Sequence, residues 1–542
     1  MALTKVTNRM QVGTSLSVYD YGTDVGTGGD DTSAIQAAID AASDYDSINF
    51  SDGSFNITSP IILKSKLSLV GRNARITKTG AFSESMFTTG TPNGGNISGI
   101  NNIYIDGLIF DGNKSGFAAG RMCVEIAGAN PTYTSGQENQ YELWSRTDQG
   151  FNIHITNCQF LNSPKSGTKV GNCQFVNVSS NYYEGNGDNG NYAIGCNHIV
   201  MANNICFRND GRSIQTITCC NAVVSGNSIG EQQDDAISNA ESIGIMAGYN
   251  ITVSDNTVYN LTGETCSGIH IREYETDDAF SVYNVSITGN TVFTSVGQGI
   301  SVQQNGSGPV IRDVSITGNT LTGGLRAIRL DACKNVQITG NTCKGMSQHG
   351  IFLVDACSNV SIKSNNIYDG GSTYSGVQIS GSSTDTIIEA NNIFNTGAGG
   401  FTNGVRLDAS EIFVRNNIFT GVNGVTNPLS ATTANERSNK GWRIEGNELG
   451  TFQPKELEVN AVAPWVTLGE IFKTANTSST AITNFQGGYE NKKIRVVIDD
   501  ANTSIDFTSS NLMGNGQVSY SASSGDFLEC TYTNGKWYCL IS

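Results

Sequence analysis

"VSITGNT" occupies Val285–Thr291 and returns unchanged at Val314–Thr320. Close variants follow: "VQITGNT" at 336–342, "VSIKSNN" at 360–366 and "TIIEANN" at 386–392. An Asn marks the series at Asn157, Asn181, Asn203, Asn227, Asn256, Asn290, Asn319, Asn341, Asn365, Asn391, Asn416 and Asn447, at intervals of 22 to 34 residues. A minimum that recurs while the excess varies describes a fixed coil with loops inserted at tolerant corners, which is a solenoid. Each unit alternates as a strand does, Val285 and Ile287 to one side, Ser286 and Thr288 to the other. The Asn that follows tolerates the left-handed backbone of a sharp corner. A second short strand comes later in each unit, as in "GIHIR" (268–272), "GISVQ" (299–303), "AIRLD" (327–331), "GVQIS" (376–380) and "GVRLD" (404–408).

Short strands, polar corners and no helix between them predict an all-β protein built as a right-handed parallel β-helix. Leucine-rich repeats would carry Leu at fixed spacing with a helical half, and a propeller blade would need about 40–45 residues. An open solenoid end exposes unpaired strand edges and needs a cap. "DDTSAIQAAIDAA" (30–42) offers one, with Asp31 or Thr32 as N-cap and Ala34, Ile35, Ala38 and Ile39 at helical spacing. Residues 452–542 lose the Asn series. "KKIRVVIDD" (492–500) and "GDFLECTYTNGKWYCLIS" (525–542) read as antiparallel strands, with an Asn-Gly hairpin at "TNGKWY". The expected division is a neck segment at 1–15, a β-helix at 16–450 and a C-terminal β-sandwich-like domain at 451–542.

Composition narrows the function. Charged residues are 15% and hydrophobic residues 38%, with Gly 63 and Pro 8, which suits a folded β-rich chain. No apolar run approaches the ~18 residues of a membrane span, and the start, "MALTKVTNRMQVG", lacks the apolar stretch of a signal peptide. Neither membrane insertion nor export by that route is expected. Net charge is −16 and no Lys/Arg stripe stands out, so no nucleic-acid partner is expected. The 13 cysteines read as small buried hydrophobes in a reduced protein in preference to a disulfide framework. Four His and no CxxC pair give no zinc site, and no cofactor is expected.

The entry "VYDYGTDVGTGGDDTSAIQAAIDAA" (18–42) resembles that of pectate-lyase-like β-helix proteins, and the preceding "LTKVTNRM" is similar to the segment before it in bacteriophage tailspikes. The resemblance implies a homotrimer on the virion, carried by the phage tail or an adaptor protein, which binds and depolymerises bacterial surface polysaccharide, O-antigen or capsule. The pattern also resembles polygalacturonases loosely, with Asn209–Asp210, Asp234–Asp235 and His270 with Arg272 in similar order. It departs from them in lacking Gly-His-Gly and in carrying Glu273 where Lys would stand.

Coils bring residues one period apart to within roughly 5 Å of each other. Asp188, Asp210 and Asp234 are 22 and 24 residues apart, with Asp235 beside the last. Glycoside hydrolysis commonly uses two carboxyls, one protonated and one ionised, and stacked acids raise one another's pKa. The alternative role for each is a turn-former capping backbone N–H groups. Asp210, Asp234, Asp235 and Glu273 are the candidate catalytic residues. Glu241, His270, Arg272, Arg329, Asp331 and Trp144 are the candidates for substrate binding. His270 and Arg272 alternate with Ile269 and Ile271 and so face away from the core. Asp331, Asp355 and Asp408 recur in "[L/V]DA[C/S]", which reads as a turn device, with Asp331 beside Arg329 the exception. The insertion at 129–150 carries Tyr133, Tyr141 and Trp144 with Glu138 and Glu142, either a saccharide platform or a loop packing on itself. The negative surface favours a neutral or sparsely charged glycan, unless Arg212, Arg272 and Arg329 focus positive potential. A lyase using His270 or Arg272 as base, and a non-catalytic adhesin, are the other readings.

Overall fold

The computed structural model describes every residue except 1–12, 23–26, 91–98, 119, 129–148, 233–240, 262–266, 274–280, 295, 305–310, 398–399, 422–424, 426, 433–434, 436–440 and 449–453. It divides into two units, Met1–Ser315 and Ile316–Ser542.

In the N-terminal unit one coil is a run of three short strands. Thr168–Gly171, Cys173–Ser179 and Tyr182–Glu184 make one coil, and Asn191–Ile194, Asn197–Ala202 and Ile205–Phe207 the next. Successive coils pair in parallel and in register, Val170 on Ala193, Val178 on Met201 and Tyr183 on Cys206. Register is fixed because a slip by one residue would turn every inward Val or Ile to solvent. Phe110, Phe160 and Tyr183 stack inside, with ring centroids 5.3 and 5.1 Å apart.

The repeat has a physical cause different from the one expected. The corner residue in the left-handed region is the one before the motif Asn: Ser180, Gly226, Asp255 and Gly289 have φ between 60° and 67° or, for Asp255, 56°. The Asn itself points inward. Asn181, Asn204, Asn227, Asn256 and Asn290 are at most 2% exposed, and each of the first four donates from its backbone N and its Nδ2 to the Oδ1 of the next. The ladder satisfies buried corner amides that no strand neighbour can reach. Two positions in the series shift accordingly: Asn204 and Asn417, not Asn203 and Asn416, are the ladder members, and Cys158 fills the slot after Asn157.

The expected helix forms at Thr32–Ala41 and buries Ala34, Ile35, Ala38 and Ile39. Asp31 stands at the N-cap but makes no side-chain bond to the helix; its Oδ2 accepts from Asn56 N at 2.9 Å. Gln36 then acts as a substitute strand neighbour. Its Oε1 accepts from Ile62 N at 2.8 Å and its Nε2 donates to Ile62 O at 3.2 Å, which closes that part of the sheet edge.

The C-terminal unit continues as coils of the same kind. Arg326–Asp331, Ile351–Leu353, Ser375–Ile379 and Asn403–Leu407 pair in parallel on one face. A second amide ladder runs through Asn319, Asn341, Asn365, Asn391, Asn417 and Asn447. From Lys455 onward the strands form a six-stranded and a three-stranded sheet. Lys493–Val497 pairs antiparallel with Phe527–Thr533, that strand with Lys536–Ile541, and Thr503–Ile505 with Tyr520–Ser521, while other pairs such as Leu512–Met513 with Lys536–Ile541 run parallel, around a core that includes Phe472, Phe485, Phe507 and Trp537. The hairpin Phe527–Thr533 to Lys536–Ile541 turns at Asn534 and Gly535, both with positive φ, the chemistry a two-residue turn demands. It sets Cys530 opposite Cys539, and the two form a disulfide. That corrects the expectation of a wholly reduced chain; the ten other described cysteines are free and buried, and Cys266 lies outside the described residues. Among the described residues no helix is long and apolar enough to cross a membrane.

Candidate functional site

The candidate groups Glu241, His270 and Arg272 gather on one face, on the paired strands Glu241–Ser254 and Ser267–Arg272, beside Ile214–Ser225. Parallel pairing aligns Lys169, Tyr192, Gln215, Gly244, His270 and Ser301 in one row and places Ile217, Met246, Arg272 and Gln303 in the next. The branched residues between them, Ile243, Ile245, Ile269 and Ile271, are fully buried in the core.

At the centre is Glu241, 1% exposed. Its Oε2 accepts from Arg212 Nε, its Oε1 lies 3.0 Å from His270 Nδ1, and Arg272 Nε is 3.5 Å from the same oxygen. Burial pushes its carboxyl up, but the His270 hydrogen bond and the Arg212 and Arg272 charges outweigh that and hold it below the ordinary carboxylate range. Gly244 makes room for this arrangement. A Cβ there would come within 3.2 Å of Arg212 Cδ and 3.5 Å of Glu241 Oε2.

His270 and Arg272 do point away from the core, yet they are 8% and 5% exposed. Glu273, immediately after the strand, is 4% exposed. Arg212, Glu241, His270 and Arg272 form a buried network, and neither they nor Glu273 present an open polar face. Glu241 acts on the site through Arg212.

Arg212 also lies close enough to Asp188 to favour its charged form. Asp188 and Asp210 occupy successive coils at the corner before this face, where Gly211 N donates to Asp188 O at 2.9 Å and a Cβ on Gly211 would come within 2.6 Å of Asp188 Oδ1. Burial and the Asp210 charge raise the Asp188 carboxyl above its ordinary value, opposed by Arg212 and Lys165. Asp210, with its side chain 40% exposed, is ion-paired to Lys114 Nζ at 2.8 Å. Asn209 takes part differently from its neighbour. It is buried and its Oδ1 accepts from Asn186 Nδ2 at 2.7 Å, so it belongs to a second corner ladder that fixes the Asp210 backbone.

A further acidic group sits along the same face. Glu125 accepts from Ser85 Oγ at 2.7 Å and pairs with Lys169 at 2.9 Å. Sequence reading passed over Lys114, Glu125 and Lys169. Lys114 lies 96 residues from its partner Asp210, inside no repeat motif, and Glu125 stands ahead of the regular series. Asp188 was visible in the 22-residue column.

Asp234 and Asp235, and Trp144 with the rest of the aromatic insertion, lie outside the described residues. Arg329 and Asp331 belong to the C-terminal unit and pair with each other at 2.9 Å. Asp355 and Asp408 serve turns there, accepting from Ser382 N at 2.8 Å and Thr432 N at 3.4 Å. Among the described residues no three His, Cys, Asp or Glu side chains converge to hold a metal.

Residues 267–440 match the family described as right handed beta helix region. The stacked coils are those of a right-handed parallel β-helix. Residues 15–246 match the family described as rhamnogalacturonase A/epimerase, pectate lyase-like. Among solved structures, the β-helix is similar to pre-mature bacteriophage phi29 gene product 12, at 17% identity and TM-score 0.52, over 90% of this chain and 66% of that one. The N-terminal fragment of the same phage protein gives 15% identity and TM-score 0.51 over 90% and 83%. The A-module of the Azotobacter vinelandii mannuronan C-5 epimerase AlgE6 gives 16% identity and TM-score 0.49 over 74% and 98%. A search of the curated proteins finds no match.

Proposed function

We propose that this β-helix is a phage tailspike depolymerase that binds bacterial surface polysaccharide and hydrolyses its internal glycosidic bonds. The observation that carries the reading is the Asp188–Asp210 corner: two carboxyl groups on adjacent coils, one raised by burial and its neighbour's charge, the other ion-paired to Lys114. Asp188 stays protonated to a higher pH and gives its proton to the leaving glycosidic oxygen. Asp210, ion-paired to Lys114, attacks the sugar carbon or activates a water against it. Arg212 is shared between Asp188 and Glu241 and orients the acid. Glu241 fixes Arg212, His270 and Arg272 as positioning residues. The match of residues 15–246 to a sugar-active family supports carbohydrate chemistry on this fold. Virion attachment through a tail or adaptor protein, and a homotrimeric state, rest on the resemblance of the leading "LTKVTNRM" to bacteriophage tailspikes and belong to the same proposal.

The test is digestion of purified polysaccharides from a panel of bacterial strains, with fragments sized by mass spectrometry. Hydrolysis gives saturated oligosaccharides, and Asp188→Asn and Asp210→Asn each lower the rate by about 10²–10⁴-fold. Unsaturated products absorbing near 235 nm would replace hydrolysis by a lyase reaction, and bound but intact polymer would make the protein an adhesin. Full activity in both Asn variants would remove these two residues from catalysis.

A further inference from the structure

In the C-terminal unit one row of the sheet face carries Arg329, Phe352, Gln378 and Arg406 in register. Around it lie Arg326, His349 and Tyr374. The His349 ring stacks on Phe352 with centroids 4.8 Å apart and meets Tyr374 edge-on at 4.9 Å. The guanidinium of Arg326 lies over the Phe352 ring, 5.0 Å from its centroid.

The charges here do not cancel. Arg329 pairs with Asp331 at 2.9 Å and Arg406 with Asp408 at 2.7 Å. Arg326 has no carboxylate and no hydrogen bond among the described residues, and its Nε is buried without a partner. The Arg329 charge stands close enough to oppose it. Burial, together with Arg326 and Arg406, pushes His349 down to about 4, so it adds no compensating charge and no extra cation near neutral pH. A half-buried guanidinium left unsatisfied is costly unless something completes it. In a chain of net charge −16 this is a local cationic patch set among aromatic rings, and Phe352, Tyr374, Gln378 and Arg406 all keep part of their surface open.

We propose that Arg326, His349, Phe352 and Tyr374 form a second saccharide-binding recess that takes a carboxylate-bearing sugar unit. The planar fork of Arg326 matches a carboxylate with two parallel N–H···O bonds. The apolar C–H face of the pyranose lies on the Tyr374 ring, whose π face is electron-rich, while Phe352 supports Arg326 and His349. Gln378 supplies an amide for a ring hydroxyl. No bond is made or broken here; the recess holds one acidic unit of a sparsely charged chain. The inference rests on the polysaccharide reading but uses none of its catalytic residues.

The test is saturation-transfer NMR on the full chain with the methyl glycosides of glucuronate and galacturonate, against methyl glucoside and methyl galactoside. The acidic sugars bind more tightly than the neutral ones. Arg326→Gln weakens them by about ten- to hundredfold, the worth of one charge-assisted contact. Phe352→Leu also weakens them while keeping the charge, and Arg208→Gln, at an exposed ion pair elsewhere, changes nothing. Asp188→Asn lowers cleavage by about 10²–10⁴-fold yet leaves this binding intact, which separates the recess from the catalytic proposal. Equal binding of acidic and neutral sugars, or unchanged binding in Arg326→Gln, overturns the inference. Displacement by sulfate with no effect of Phe352→Leu would reduce the recess to an inorganic-anion site and overturn it as well.

Discussion

Replacing Glu241 by Gln tests how the candidate site is held together. Glu241 is 2% exposed at its side chain, and its partners Arg212, His270 and Arg272 are 14%, 9% and 6% exposed. Water screens none of these contacts effectively, so removing the carboxylate takes a buried ion-pair partner away from both guanidinium groups. Breaking a buried pair in this way costs about 3–5 kcal/mol. Glu231 with Arg208 gives the control, a pair of the same chemistry at 2.8 Å but with side chains 42% and 48% exposed. Glu231→Gln is expected to cost about 0–1 kcal/mol. Denaturant unfolding of both variants measures the difference, as rates where unfolding is irreversible. The pH dependence adds a second readout. The Glu241 carboxyl is depressed in the folded state, so its contribution is present above the ordinary Glu value of 4.5 and is lost as pH falls through the lowered value. Glu241→Gln lacks that part of the acid limb. Equal losses in Glu241→Gln and Glu231→Gln, or an unchanged acid limb, would refute the claim that Glu241 anchors the site.

Asp188→Asn removes the proton donor, and the wild-type rate falls on the alkaline side as pH rises through the raised Asp188 value, a limb read from a pH–rate profile that the variant does not share. Asn227→Ala leaves Asn204 N without its acceptor and costs about 2–4 kcal/mol, whereas Asn250→Ala, on an exposed corner ladder, costs under about 1 kcal/mol; equal shifts in thermal unfolding would deny the inner ladder its role. His349 sits near 4 in the fold against 6.5 ordinarily, so NMR shows it neutral above about pH 5. Because the unfolded chain takes up that proton first, His349 costs stability as pH falls from 6.5 towards 4, and His349→Phe removes the cost. Replacing both Cys530 and Cys539 by Ser lowers stability by about 2–3 kcal/mol through the short loop they close, read by thermal unfolding.

The amino-acid sequence alone determined the coil. Alternating Val and Ile at a period of 22 residues or more has one economical burial, parallel strands stacked in register, and the capping helix and Asn-Gly hairpin were equally local signals. It misplaced the reason for the Asn, because a buried amide ladder and a left-handed corner leave the same letter one position apart. The candidate site was legible only where it shared the repeat: Asp188 and Asp210 are one period apart, and His270 and Arg272 alternate along one strand. What tertiary structure decided was burial and pairing. Lys114 reaches Asp210 across 96 residues, and Glu241 gathers Arg212 from the corner before one strand and His270 and Arg272 from another. Arg326 is left without a carboxylate although both neighbouring arginines have one. Side-chain partners depend on distance and solvent exclusion in three dimensions, and a period records only which residues can meet, not which charges are matched when they do.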